Sequence, residues 1–274
     1  MPEDIYIVHN AFSLLLSISL TTTNPNTKST IVFAHKKANE TIKSIQSDFK
    51  LANTKLIPYS KALPPLQTVL RSKYSRVFLS NPWHKRIIPF YLTISNSKQI
   101  HLIDDGFATI NENYESAIQQ NLGNTALTIL KSLNNKIEFD THYSIFEKPS
   151  NNFLNAHKTN KRITILPESI LKAFVVNTNL TTEKDTVIIL GSTHTSALQI
   201  MNTLPPEKCG NFQFLLKDHP NLSGGLDQLG CPPEFFLMRH MHSIKKIYHC
   251  KSSTAYISNY LFPNVETEEY TNAQ

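Results

Sequence analysis

The sequence predicts an α/β protein built on mostly parallel sheets, and three observations predict it. Apolar runs of strand length alternate with stretches of helix length, several of those runs end abruptly in polar residues or glycine, and a polar, asparagine-rich stretch divides the alternation into two blocks.

In the first block Ile5–Val8 is a short buried strand, and Ala11–Thr21 has the length and apolar density of a helix packed behind it. The pattern repeats with Thr30–Ala34 as strand, Ala38–Phe49 as helix and Lys55–Tyr59 as strand. Pro64-Pro65 opens a helix to Lys73, since proline is tolerated in a first turn. Arg76–Leu79 is the next strand, Trp83–Ser95 a helix, and Gln99–Ile103 a strand that ends at Asp104. Asn111–Leu133 reads as helical. The stretch Asn134–Lys161, rich in Asn, Lys, Thr and Ser with Pro149 inside it, reads as the interdomain connection. The second block has strand Arg162–Leu166, helix Glu168–Val176, strand Thr186–Leu190, helix Thr195–Leu204 and strand Phe212–Leu216. Two more strands, Glu234–Leu237 and Lys246–His249, and a helix, Ser253–Leu261, complete it. The expected organisation is two Rossmann-like domains, residues 1–158 and 159–274, facing one another across a cleft.

At 274 residues either block can bury a core of its own, and the composition, 40% hydrophobic and 18% charged, is that of a globular protein. The 27 Lys and Arg against 21 Asp and Glu give a formal charge of +6, which favours anionic ligands or a membrane surface. The basic pairs Lys36-Lys37, Lys85-Arg86, Lys161-Arg162 and Lys245-Lys246 are dispersed and not interleaved with aromatics. They read as solvated faces, and nucleic acid is not an expected partner. Cys209, Cys231 and Cys250 form no CxxC pair and leave one unpaired in any disulfide scheme, which fits a reducing compartment. The apolar stretch Ala11–Leu20 follows Glu3 and Asp4 instead of a basic segment, so it is not read as a signal peptide. A cytoplasmic location is expected, with peripheral contact at a membrane compatible with the charge.

Four polar islands carry the chemistry. Asp104-Asp105-Gly106 follows a strand directly, and Gly106 permits a sharp turn there; one carboxylate can accept a proton while the other fixes the loop, the competing role being a helix cap. Lys217-Asp218-His219-Pro220 places an imidazole beside a cation at a strand end, with Pro220 fixing the turn, an arrangement suited to a phosphate. Pro233-Glu234 contributes a carboxylate. Ser252-Ser253-Thr254 offers hydroxyls and backbone N–H groups where a helix begins, which suits an anion or a plain cap equally, and Gly191-Ser192-Thr193 has the same double character. No GxGxxG, GxxxxGK[ST] or GxSxG pattern occurs, and the tightest histidine pair, His240 and His242, lacks the spacing of a helical metal site.

In order and strand context, His101-Leu102-Ile103-Asp104-Asp105-Gly106, Lys217-Asp218-His219-Pro220, Pro233-Glu234-Phe235-Phe236 and Ser252-Ser253-Thr254 resemble the bacterial GT-B sialyltransferases, which share a D/E-D/E-G motif, an HP motif and an SS/T motif. The resemblance runs from about Leu102 to Pro263, while the first hundred residues match only in architecture. It implies a GT-B glycosyltransferase that moves sialic acid from CMP-sialic acid, with inversion and without metal or other cofactor, to a hydroxyl of a surface glycan such as lipooligosaccharide or capsule. Asp105 would be the general base. His219 would contact the CMP phosphate and act as general acid, with Lys217 and Pro220 beside it, while Ser252, Ser253 and Thr254 would hold the phosphate. Glu234 would hold the cytidine ribose, Gly191, Ser192 and Thr193 would form a donor loop, and Asp104 and Gly106 would complete the acceptor-side motif. Peripheral contact with the inner membrane fits the same setting. Two alternatives remain open: a transferase for another CMP-activated ulosonic acid such as Kdo, or a nucleotide-sugar-binding subunit without turnover.

Overall fold

A computed structural model describes residues 3–49, 51, 53–59, 74–94, 99–134, 137–174, 185–205, 210, 212–219, 222, 224–250 and 252–271. The helix expected over Pro64–Lys73 and the site residue Pro220 lie outside them. The chain divides into two units, Met1–Ala173 and Phe174–Gln274, each with its own parallel sheet.

Unit 1 begins with β1 (Glu3–Val8), α1 (Ala11–Thr23), β2 (Lys28–Phe33), α2 (Ala38–Ile45), β3 (Thr54–Pro58) and β4 (Arg76–Ser80). It continues through α3 (Ile88–Ile94), β5 (Ile100–Ile103), α4 (Phe107–Ile110), α5 (Tyr114–Leu122), α6 (Asn124–Asn134), β6 (Phe139–Ser144), α7 (Asn151–Ala156), β7 (Thr159–Thr164) and α8 (Pro167–Ala173). The sheet order is β3-β2-β1-β4-β5-β6-β7, and every neighbouring pair is parallel. β1 therefore lies between β2 and β4, and the chain changes direction across the sheet between β1 and β4. In an open α/β sheet the crevice beyond the carboxyl ends of those two strands is where ligands bind.

The apolar, alternation-free sequence of α1 is explained by its burial: every residue from Phe12 to Thr21 is buried, as expected for a helix hydrophobic all round. Its buried hydroxyls are absorbed locally, Ser17 Oγ donating to the Ser13 carbonyl at 2.8 Å and Thr21 Oγ1 to the Ile18 carbonyl at 2.9 Å. At the opposite, amino end of the strands, Arg76 donates to both carboxylate oxygens of Asp4, at 2.9 and 2.5 Å, and so ties β4 to β1.

Unit 2 contains β8 (Thr186–Leu190), α9 (Ala197–Thr203), β9 (Gln213–Lys217), α10 (Pro233–His240), β10 (Ile244–His249), α11 (Ser253–Leu261) and β11 (Glu266–Glu269). Its sheet order is β11-β10-β8-β9, again parallel throughout. The acidic segment Glu266–Glu269 is the edge strand, held by Lys246 Nζ at 3.2 Å from Glu266 and 2.7 Å from Glu268.

Several elements differ from the sequence expectation. Glu234–Leu237 is helical, not a strand: Pro232 caps α10 and Pro233 occupies its first turn, where a fixed φ prepares the helix. The helix expected over Trp83–Ser95 begins at Ile88, after a run of turns, and the one expected over Asn111–Leu133 is two helices separated at Gly123. The stretch Asn134–Lys161, expected to be a connection, holds β6 and α7 and the start of β7. β6 reads Phe-Asp-Thr-His-Tyr-Ser, too polar to be recognised as a central strand, yet it lies between β5 and β7. β7 extends the first sheet and α8 packs against α1, so unit 1 runs to Ala173, beyond the expected boundary after residue 158. Among the described residues no helix is long and apolar enough to cross a membrane.

Candidate active site

In unit 1 the strand register sets the site. Val8 pairs with Phe33, Ile7 with Leu79 and Ser80 with Ile103, so the residues that follow β1, β4 and β5 emerge at one sheet edge: His9 and Asn10, Asn81, and Asp104 with Asp105.

The adjacent carboxylates have different environments. Asp104 is fully buried and spent on structure, accepting from His142 Nε2 at 2.8 Å, Ser144 Oγ at 2.8 Å and the Ile145 backbone N–H at 2.6 Å. It joins the end of β5 to β6 and fixes the loop. Asp105 faces the other way. Its Oδ1 accepts from Asn10 Nδ2 at 2.7 Å, its Oδ2 from Asn81 Nδ2 at 2.8 Å, and His9 Nε2 stands 3.4 Å from Oδ1. Gly106 makes this divergence possible with φ of 68° and ψ of −129°, a conformation an L side chain resists. The Asp105 backbone N–H is held by Thr109 Oγ1 at 2.9 Å.

Both amides that grip Asp105 are themselves oriented. Asn10 is the N-cap of α1: its Oδ1 accepts from the Ser13 N–H at 2.8 Å, which leaves its NH₂ for Asp105. Asn81 has φ of 38°, and its Oδ1 accepts from Tyr114 Oη at 2.6 Å. Tyr114 Oη in turn lies 2.9 Å from His157 Nε2. A buried polar chain thus runs His157–Tyr114–Asn81–Asp105–His9, and His9 Nδ1 meets Ser80 Oγ at 3.3 Å.

The electrostatics follow from burial. Desolvation lifts the Asp105 carboxyl from 3.8 to about 8; the hydrogen bonds from Asn81 and Asn10 oppose that rise, and Asp104 adds to it. Desolvation, with His84, Arg86 and His35 nearby, holds His9 neutral, well below the usual imidazole range. A carboxyl tuned near neutrality and gripped by oriented donors suits a general base.

In unit 2, Leu190 pairs with both Lys217 and His249, so the ends of β8, β9 and β10 are level. Gly191-Ser192-Thr193, Lys217 to His219 and Ser252 to Thr254 therefore share one edge of one sheet. The change of direction in this sheet lies between β8 and β10, where the Gly191 and Ser252 loops begin.

Gly191 is required by close approach. A Cβ there would lie 2.7 Å from Asp218 Oδ1, 2.8 Å from the Ala197 nitrogen and 2.9 Å from the Thr195 oxygen. Asp218, which sequence reasoning left without a role, locks this corner: Oδ1 accepts from the Ala197 N–H at 2.6 Å and Oδ2 from the Leu226 N–H at 2.8 Å. Ser192 Oγ accepts from the N–H groups of His194 and Thr195, at 3.1 and 2.9 Å, and shapes its own loop, while Thr193 is exposed. Lys217 is largely buried, its Nζ 2.5 Å from Asp227 Oδ2, and its charge also acts on Glu234. His219 is half-buried at the end of the same loop.

Two islands meet directly. Glu234, in the first turn of α10, accepts from Thr254 Oγ1 at 3.1 Å and Ser253 Oγ at 3.5 Å, both in the first turn of α11. Ser252 caps α11, its Oγ accepting from the Thr254 N–H at 3.2 Å. Burial raises the Glu234 carboxyl above its ordinary value, against its hydrogen bonds and the Lys217 charge.

Sequence reasoning missed His9, Asn10, Asn81, Tyr114 and His157. His9-Asn10 and Asn81 each follow an apolar strand directly, the same signal that marked Asp104-Asp105; Tyr114 and His157 carry no local signal. Among the described residues no group of three or more His, Cys, Asp or Glu is arranged to hold a metal ion.

No family model and no curated protein matches the chain. Among solved structures, the UDP-N-acetylglucosamine 2-epimerase from Rickettsia bellii is similar with a TM-score of 0.54 at 14% identity, covering 97% of this chain and 78% of that one. That likeness is one of fold, and with two parallel α/β units the chain has a GT-B-like architecture.

Proposed function

We propose that the protein is an inverting sialyltransferase that uses CMP-sialic acid and a glycan acceptor. The observation that carries this is the convergence, at one edge of the unit 2 sheet, of Gly191–Thr193, Lys217–His219 and Ser252–Thr254, with Glu234 hydrogen-bonded to Thr254. This is the donor chemistry that the motif resemblance calls for, and Asp105 in unit 1 supports it from the acceptor side.

In this mechanism His219 and the Ser252–Thr254 turn receive the phosphate of CMP. Negative charge grows on that phosphate as the glycosidic bond breaks, so donors aimed at it favour the transition state over the ground state. Glu234 accepts from the ribose hydroxyls. Asp105, as carboxylate, takes the proton from the acceptor hydroxyl while that oxygen attacks the anomeric carbon from the face opposite CMP. Such base catalysis contributes about 10²–10⁴-fold. Asp104 has no part in the chemistry beyond holding the loop.

The test has two readouts. Calorimetric titration with CMP, UMP, UDP and GMP measures nucleotide choice, and mass-detected transfer from CMP-sialic acid to a panel of glycans measures turnover. CMP preference with transfer, and loss of transfer but not of CMP affinity in Asp105→Ala, is the expected result. Absence of CMP binding with tight UDP binding would replace the proposal with a UDP-sugar chemistry, the substrate class named for the structural neighbour. CMP-Kdo in place of CMP-sialic acid tests the other ulosonic donors.

A further inference from the structure

The basic pairs Lys36-Lys37 and Lys85-Arg86 read as scattered surface charge in the sequence. The fold brings them together. β2 and β4 flank β1, so the segments after β2 and β4, carrying His35-Lys36-Lys37 and His84-Lys85-Arg86, both lie at the carboxyl edge where His9 ends β1. The His84 ring stacks on the His9 ring, with centroids 3.6 Å apart and planes at 16°. Arg86 reaches the Ala34 carbonyl with one of its N–H groups at 3.4 Å, which ties the two segments to each other.

The two outer imidazoles are set as donors. The Lys37 backbone N–H donates to His35 Nδ1 at 3.2 Å, and the Arg86 backbone N–H donates to His84 Nδ1 at 3.3 Å. A nitrogen that accepts carries no proton, so the neutral tautomer of each ring has its proton on Nε2. Both rings and Arg86 are half-buried, and among the described residues no carboxylate forms an ion pair with Arg86. Burial together with the Arg86 charge lowers His35 and His84 to about 4, so both are neutral N–H donors at physiological pH and Arg86 holds the permanent charge.

We propose that His35, His84 and Arg86 form a subsite for an anionic substituent, a carboxylate or a phosphate, on the sugar whose hydroxyl Asp105 deprotonates. The subsite stands one imidazole away from that carboxyl, because the same His9 ring that stacks on His84 has Nε2 3.4 Å from Asp105 Oδ1. Guanidinium with flanking N–H donors is the usual protein answer to carboxylate and phosphate. Assigning the anion to the acceptor rests on Asp105 as the base that contacts the acceptor.

Calorimetry with lactose, sialyllactose and galactose phosphate, in wild type, Arg86→Gln and Arg86→Lys, tests this, with CMP titrated in parallel and thermal melting to verify folding. Wild type should bind one or both anionic sugars about tenfold or more tightly than lactose, the two probes separating carboxylate from phosphate. Arg86→Gln should remove that preference and leave CMP affinity unchanged, and Arg86→Lys should restore part of it. Equal binding of all three sugars to wild type would overturn the subsite. So would an Arg86→Gln loss shared equally by lactose and the anions, or confined to CMP. A wild type that prefers anionic sugars but ignores CMP keeps the subsite and removes the donor assignment instead.

Discussion

Asn81 donates its amide to Asp105 Oδ2 at 2.8 Å while its own oxygen accepts from Tyr114 at 2.6 Å. The phenol therefore dictates which end of the amide faces the carboxyl, and the carboxyl meets a donor it cannot turn away. Donors of this kind stabilise the charged form of an acid, and they oppose the desolvation that lifts Asp105 to about 8.

Transfer should accordingly increase with pH. Only the carboxylate can accept the acceptor's proton, so kcat/KM rises up to about tenfold per unit below the Asp105 value and levels above about 8. Asn81→Gly keeps the backbone at φ 38° accessible and removes the donor. Its rising limb should move to higher pH, measured in parallel pH–rate profiles; superimposable limbs would remove Asn81 from the control of Asp105.

The same carboxyl should cost stability in alkali. Its folded value, about 8, lies above its ordinary 3.8, so between those values the folded state holds a proton that the unfolded chain has released. Stability contributed by this group is complete at about pH 4, declines as pH rises through the window, and is constant above about 8, at most about 1.4 kcal/mol per unit. Asp105→Asn has no such proton to lose. Urea unfolding at pH 5 and pH 8.5 should show a smaller fall in the variant than in wild type, and equal falls would mean that the site is wetter than its burial indicates.

Gly191→Ala should destabilise the second unit. Two of the three atoms that a Cβ would meet within 2.9 Å belong to backbone, and the third is the Asp218 oxygen already bound to Ala197. Nothing nearby can swing aside, so overpacking of about 1–3 kcal/mol is expected. Denaturant unfolding should show it, with weaker CMP binding because the loop after β8 moves with the helix it abuts; a neutral substitution would mean that this corner adapts freely.

How far these features could be read from the chain depends on their range. The strand-to-polar junctions at Ile103-Asp104 and Leu216-Lys217 are local, so sequence alone marked them. The partners that give Asp105 its character are not local. Asn10 and Asn81 reach it only through sheet order, and Tyr114 lies on a helix whose inward face has no distinguishing spacing. Glu234 reads as a strand residue because Phe235-Phe236-Leu237-Met238 is an apolar run that suits either structure, whereas the Pro232-Pro233 pair before it starts a helix. β6 is hidden in the sequence for the opposite reason: the residues that make it central, His142 and Ser144, are polar and are buried by binding Asp104.

Glu234 and Thr254 offer a last test. Glu234 must be ionised to accept ribose hydroxyls, and burial raises its value, so CMP affinity should fall as pH drops through that value. Thr254→Val preserves shape and removes the closer hydroxyl donor at 3.1 Å, one of the contacts that hold the value down. Loss of CMP binding on acidification should therefore begin at higher pH in Thr254→Val than in wild type, whereas Glu234→Gln should weaken CMP about tenfold at neutral pH and leave only the pH dependence set by the phosphate of CMP, whose second ionisation lies at about 6. Calorimetric titrations from pH 5 to pH 8 resolve both effects. Unchanged CMP affinity in Glu234→Gln would restrict the carboxylate to joining α10 and α11, a structural role that Thr254→Val would then expose as a lower melting temperature without any change in nucleotide binding.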